Sequence, residues 1–301
     1  MQRRDFLTLA SLLPLMPFAA GASASNPLFT KAIPSSGELI PAIGMGSART
    51  FDIDPSSAEM VNLLEVLKTF FLMGGTVLDS SPMYGNAEIV LGRLLAQIQP
   101  QPKIFAASKV WTEGKQQGIA AIEESRRRFG VEQFDLMQVH NLKDWKTQIA
   151  TLFEMKQQGR LKYVGISTSG KRQYADIASV MKNYPIDFVQ LNYNILVRDA
   201  EAELLPLAQE RGIAVMVNRP YQKGALFKKV KGKSLPEWSK DFGCSSWGQF
   251  FLKYIISHPA VTVAIPATTK VKHMKDNMGA LLGELPNNSQ RKQMEAYFNS
   301  I

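Results

Sequence analysis

Cysteine is almost absent: the 301-residue chain has one, Cys244, so no disulfide forms within it. No Gly-x-Gly-x-x-Gly follows any of its strand-like apolar runs, which removes the main signature of an open dinucleotide-binding sheet. Acidic residues are the minority, 26 against 35 Lys and Arg, for a net charge of +9. The basic residues are scattered, with short clusters only at Arg126-Arg127-Arg128 and Lys228 to Lys233, and neither is interleaved with aromatics. No nucleic-acid partner is therefore expected, and the excess charge suits solubility and attraction of an anionic cofactor. No metal site is expected either. What is present suits a folded protein: 45% hydrophobic and 20% charged residues support a sizeable core and argue against disorder.

The N-terminus is a separate matter. Gln2-Arg3-Arg4-Asp5-Phe6-Leu7 sets two arginines ahead of an apolar stretch from Phe6 to Ala20, and Ala22-Ser23-Ala24 supplies the small residues that a signal peptidase cuts. This looks like a twin-arginine export signal over residues 1–24, with a periplasmic destination and a folded domain over 25–301. Pro14 and Pro17 interrupt the apolar stretch, which is shorter than the ~20 residues that span a bilayer, so no stable membrane insertion is expected after cleavage. That route carries proteins already folded, and a chain needing no disulfide is compatible with it.

From Ile33 onward the chain punctuates regularly. Ile33 to Ile40, with Ser35-Ser36-Gly37 inside it, reads as a small β-hairpin, and Ile40 to Gly46 as a first strand ending in glycines. Strands and helices then alternate. Strands are predicted at 76–79, 103–108, 134–139, 161–166, 188–191, 213–217 and 261–265. Helices are predicted at 55–73, 116–129, 145–158, 171–182, 200–209, 246–257 and 271–282, with a last one at 289–298. Eight strands counted from Ile43, alternating with helices, argue for a closed (β/α)8 TIM barrel in one α/β domain; an open sheet or two domains is the competing arrangement.

Chemistry in such a barrel sits at the C-terminal strand ends. Those ends read Asp79 with Tyr84 in the following loop, then Lys109, then His140. A phenol has a pKa of about 10 in water, so a catalytic Tyr84 calls for a nearby cation, and Asp79 is placed to hold one. Each group also has a plainer reading: Asp79 as a cap for the helix beginning near Asn86 with Tyr84 packed under it, Lys109 as a surface lysine, His140 as a core histidine. Four reactive groups on one face favour a site.

These segments, taken in order, resemble the aldo-keto reductase superfamily. The resemblance rests on Leu78-Asp79-Ser80-Ser81-Pro82-Met83-Tyr84-Gly85 with Glu88 and Leu91-Gly92, on Ala107-Ser108-Lys109, and on Asp135 to His140. Gly165-Ile166-Ser167, Val189 to Asn194, and Ile265-Pro266 followed by Asn277 complete it. It implies a barrel that binds NADP(H) and reduces a small-molecule carbonyl. Tyr84 would be the proton donor, Lys109 would lower its pKa, Asp79 would fix Lys109, and His140 would donate a hydrogen bond to the carbonyl oxygen. Ser167, Thr168 and Gln190 would meet the nicotinamide carboxamide, although the family often has asparagine at the position of Thr168. The loop from Ala267 to His273 lies where barrels bind phosphate. There Thr268 lies in the loop, and Lys270, Lys272 and His273 would add the cationic character that favours the 2'-phosphate of NADP; a solvated basic helix start is the plainer reading. Asn277 would reach the adenine.

Two departures stand out. The family usually places a stacking aromatic after the seventh strand, where this chain has Asn218-Arg219-Pro220; Arg219 then becomes a candidate for the cofactor phosphates, and Tyr221 is near in a different register. The tail is also short, which leaves Trp111, Trp145, Asn194 and Arg198 as expected pocket-rim residues. The competing function is a nucleotide-binding sensory or partner subunit on the same barrel. An exported reductase would also need reduced cofactor outside the cytoplasm, which either a slow, cofactor-retaining enzyme or a redox partner in the cell envelope would reconcile.

Overall fold

The computed structural model describes residues 28–301, so the expected signal over residues 1–24 lies outside it. Within those residues eight parallel strands form one sheet, in sequence order: β3 (Met45–Gly46), β4 (Val77–Asp79), β5 (Phe105–Val110), β6 (Phe134–His140), β7 (Leu161–Ser167), β8 (Phe188–Asn192), β9 (Ala214–Asn218) and β10 (Val261–Ala264). The two edges meet. Ile43 forms a parallel bridge with Ala264, and Gly44 N donates to Ala264 O at 2.8 Å, so the sheet closes into the (β/α)8 barrel that the alternation predicts.

The helices wrap it in the same order: α1 (Glu59–Leu72), α2 (Ala87–Leu95), α3 (Lys115–Phe129), α4 (Trp145–Gln157), α5 (Tyr174–Asn183), α6 (Leu204–Arg211), α7 (Ala225–Lys229), α8 (Trp247–Ile256), α9 (Val271–Gly279) and α10 (Asn288–Ser300). Their ends follow local chemistry. Ser246 Oγ accepts from Gln249 N at the start of α8, and Asn287 and Gln290 close a reciprocal capping box on α10. None of these helices is long and apolar enough to cross a membrane.

The start of the domain differs from the sequence reading. Leu39–Pro41 does not run on into the first barrel strand; it is β2, antiparallel to β1 (Thr30–Ala32), and only Met45–Gly46 pairs with β4. The reason is burial: Ile33 and Ile40 from this hairpin pack with Phe105, Tyr163 and Phe188 inside the barrel. The hairpin thus plugs the end at which the strands begin.

Strand alternation then decides what fills the interior. On each strand every second residue points inward. Val77, Phe105, Leu136, Tyr163, Phe188 and Ala214 form the lower, apolar part of this interior. Two or four residues further along the same faces stand Asp79, Lys109, His140, Ser167, Gln190 and Asn218, at the opposite end.

Candidate active site

The polar end of the barrel is built on a buried ion pair. Lys109 Nζ donates to Asp79 Oδ1 and Oδ2 at 2.8 and 2.7 Å and to Ser80 O at 2.8 Å, with its side chain fully shielded from water. All three ammonium protons are thereby used. Asp79 also accepts from Gln190 Nε2 at 2.9 Å and Gln138 Nε2 at 3.2 Å. Lys109 is therefore no surface lysine, and Asp79 caps no helix. It is Asp52 Oδ1 that receives Asn86 N, at 3.0 Å, at the head of α2. Burial alone pushes the Lys109 ammonium down, but the Asp79 carboxylate and Tyr84 outweigh it and hold the pKa above its ordinary value.

Tyr84 stands over this pair, with Lys109 Nζ 5.3 Å from its ring centroid. Lys109 lowers the phenol's pKa, as expected, but it does not decide the net direction. Burial raises it more than Lys109 lowers it, and Asp79 raises it further, so the phenol keeps its proton beyond its ordinary range. His140 packs edge-on to Tyr84, ring centroids 5.8 Å apart, and receives or gives a hydrogen bond at Nδ1 to Ser81 Oγ at 2.9 Å. Burial first, and then Lys109, bring the His140 pKa to about 3, so the imidazole is neutral. A neutral acid, a neutral imidazole and a charge-compensated lysine share one wall: the arrangement can donate a proton and orient an oxygen.

These groups open on a cleft of ≈ 690 Å³. Asp79, Tyr84, His140, Ser167, Thr168, Gln190 and Arg219 line it. Ser167 Oγ has only a long 3.5 Å contact to Val139 O, so its hydroxyl is free to serve a ligand. Thr168 Oγ1 instead binds Gln173 Oε1 at 2.7 Å, and Gln190 spends its amide on Asp79. Arg219 spans the opening to Ser169, donating to its O and Oγ at 2.9 Å each. Asn218, where the family's aromatic was expected, donates to Thr168 O at 3.0 Å and leaves its Oδ1 buried without a partner. Tyr221 also lines the cleft; its ring lies 4.8 Å from that of Phe227 and its hydroxyl donates to Asn277 Oδ1 at 2.6 Å.

The other expected positions divide. Thr268 Oγ1 accepts from Lys270 N at 3.1 Å, shaping the turn that leads into α9, and Lys270, Lys272 and His273 are exposed there. His273 is held below its ordinary value by partial burial and by the two lysines, so the positive charge at this helix start belongs to the lysines at neutral pH. Asn277 is buried with Nδ2 unpaired. Of the four rim candidates, none lines the cleft. Trp145 packs against Tyr184 at 5.6 Å, Asn194 braces its own loop through Leu196 N and Val197 N, Arg198 pairs with Glu295 of α10, and Trp111 lies beside Lys143. Arg49, Met83, Asn141, Lys223 and Phe227 line it instead. Met83 was within reach of the sequence, since it sits inside the motif that carries Tyr84.

The chain resembles known proteins over most of its length. Residues 42–296 match the model of the Aldo/keto reductase family. Methylglyoxal reductase YeaE of Escherichia coli is 27% identical over 264 residues, covering 85% of this chain and 90% of that protein. Aldo-keto reductase str7 of Strobilurus tenacellus is 27% identical over 299 residues, covering 84% and 87%. Among solved structures, an aldo/keto reductase from Klebsiella pneumoniae in complex with NADP and acetate superposes with a TM-score of 0.73 at 23% identity, over 87% of this chain and 93% of that one. That likeness shows a shared barrel.

Proposed function

The chain belongs to the aldo/keto reductase family, and from that premise we propose that it reduces an aldehyde or ketone to the alcohol with NADPH, Tyr84 acting as general acid. The observation that carries this reading is the Asp79–Lys109 pair beneath a protonated Tyr84, beside a neutral His140, on one wall of a cleft. A pure binding protein has no use for that combination.

The residues fit the cofactor. Asn277 Nδ2 is a buried donor without a partner at the position matched to the adenine, and the Ser167 hydroxyl is free beside the reactive wall. Arg219 at the opening and Lys270 and Lys272 at the start of α9 suit phosphate groups, through charge and the helix N-terminus together. When bound, NADPH supplies the hydride. The chain's own part is to receive the carbonyl oxygen. His140 orients it, Tyr84 gives up its hydroxyl proton to it, and the Lys109 ammonium stabilises the phenolate left behind. Asp79 keeps Lys109 in place through that charge change.

The test is a fluorescence titration with NADPH and NADH, followed by NADPH oxidation with reactive aldehydes and ketones. Selective NADPH binding with turnover supports the proposal; binding without turnover returns the protein to the sensory class. Lys270→Ala is expected to weaken NADPH about tenfold, the scale of one charged hydrogen bond, while leaving NADH nearly unchanged. Equal losses for both nucleotides would move the 2'-phosphate contact elsewhere.

We also propose export of the folded chain, supported by Arg3-Arg4, the Phe6–Ala20 stretch and Ala22-Ser23-Ala24. Replacing both arginines by lysine is expected to keep the protein in the cytoplasmic fraction; unchanged periplasmic recovery would remove the proposal.

A further inference from the structure

We propose that Ser81 is a positioning residue that sets the tautomer of His140, sending its hydroxyl proton to Nδ1 so that Nε2 carries a proton toward the cleft. Ser81 is fully buried, and its Oγ has two neighbours: His140 Nδ1 at 2.9 Å and Met83 N at 3.2 Å. A hydroxyl has one proton and two lone pairs. The Met83 N–H occupies a lone pair, because a backbone amide only donates. The hydroxyl proton then needs an acceptor, and among the described residues His140 Nδ1 is the one in reach.

The opposite tautomer fails this count. With a proton on Nδ1, Ser81 Oγ would accept twice and its own proton would be stranded in a fully buried place, which is costly. Protonation of both ring nitrogens is also disfavoured, because His140 is buried and lies near Lys109. The neutral ring with hydrogen on Nε2 satisfies every group. His140 lines the cleft, and Nε2 has no hydrogen-bond partner among the described residues, so its N–H is available to a ligand oxygen.

Ser81 also joins the two halves of the reactive wall. Its carbonyl accepts from Tyr84 N at 3.0 Å, and its hydroxyl holds the next turn through Met83 N. The residue that shapes the turn carrying the proton donor therefore also selects which nitrogen of the neighbouring imidazole donates. For its catalytic consequence the proposal rests on the carbonyl-reductase reading; the tautomer assignment rests on geometry alone.

Long-range 1H–15N correlation on the full-length protein labelled at its three histidines tests it, with the His140 signals identified by their loss in His140→Gln. The expected spectrum has His140 Nδ1 as an unprotonated nitrogen and Nε2 as a protonated one at neutral pH. Ser81→Ala, which only removes an oxygen, is expected to shift the Nδ1 signal away from its hydrogen-bonded position. It is also expected to lower kcat about tenfold, the size of one lost hydrogen bond, with the Kd for NADPH unchanged. A protonated Nδ1 in the wild type overturns the proposal, and so does a Ser81→Ala protein with the wild-type spectrum and kcat. A wild-type protein that reduces no carbonyl yet shows the Nε2-protonated ring would remove the reductase reading and leave the tautomer assignment standing.

Discussion

Tyr84→Phe is expected to lower carbonyl reduction by about 10²- to 10⁴-fold, the usual contribution of a positioned general acid, with NADPH binding nearly intact. The substitution deletes one oxygen from a largely buried ring and leaves its edge contact with His140 and the Lys109 charge in place. What disappears is the phenol O–H that stands over the Asp79–Lys109 pair. The same assignment fixes the pH behaviour. Burial holds the Tyr84 proton above the ordinary tyrosine value of 10, and His140 titrates at about 3. Neither group changes charge between them, so the chemical step is expected to be flat from about pH 5 to about pH 9. A limb in that interval that survives in Tyr84→Phe would assign it to another group. A Tyr84→Phe protein as fast as wild type would end Tyr84's role as the acid.

Lys109→Met is expected to cost more than activity. It leaves the Asp79 carboxylate buried with only the Gln138 and Gln190 amides for partners. Removing one member of a buried pair typically costs about 3–5 kcal/mol, because the survivor keeps its charge without compensation. In a chain of this size that is a fall in Tm on the order of 10 °C. Turnover is lost as well, since no cation remains to stabilise the phenolate. The contrast lies in the double variant. Asp79→Asn with Lys109→Met removes both charges, so thermal denaturation is expected to recover most of the lost stability while activity stays absent. If the double variant were as unstable as Lys109→Met, the pair's cost would lie in packing and not in charge.

How much of this was legible in the sequence follows from periodicity. Eight apolar runs separated by helical stretches were enough for the barrel. The two-residue alternation of β4 to β9 was enough to bring Asp79, Lys109, His140, Ser167, Gln190 and Asn218 to one end, because inward direction on a strand is set by position alone. Loops obey no such rule. By type and location Trp145, Asn194 and Arg198 suit a pocket rim. Asn194 instead supplies acceptors for its own loop's amides, and Arg198 is drawn away by Glu295. The opening is shaped by backbone that sequence does not announce: Arg219, Gln222 and Lys223 all take positive φ, at 50°, 46° and 55°, without being glycine. That turn is what brings Lys223 and Phe227 to the cleft. The net direction of the Tyr84 shift was equally out of reach, because it depends on how burial weighs against one nearby charge.

The reductase reading requires that this wall of the barrel deliver a proton to a carbonyl oxygen while bound NADPH supplies the hydride. The most direct measurement is stoichiometry: incubate the purified protein with NADPH and a reactive aldehyde, and quantify NADP and alcohol separately. One alcohol formed per NADPH consumed, with both lost in Tyr84→Phe, is the predicted result. NADPH bound but not consumed, or consumed without any alcohol appearing, would contradict it.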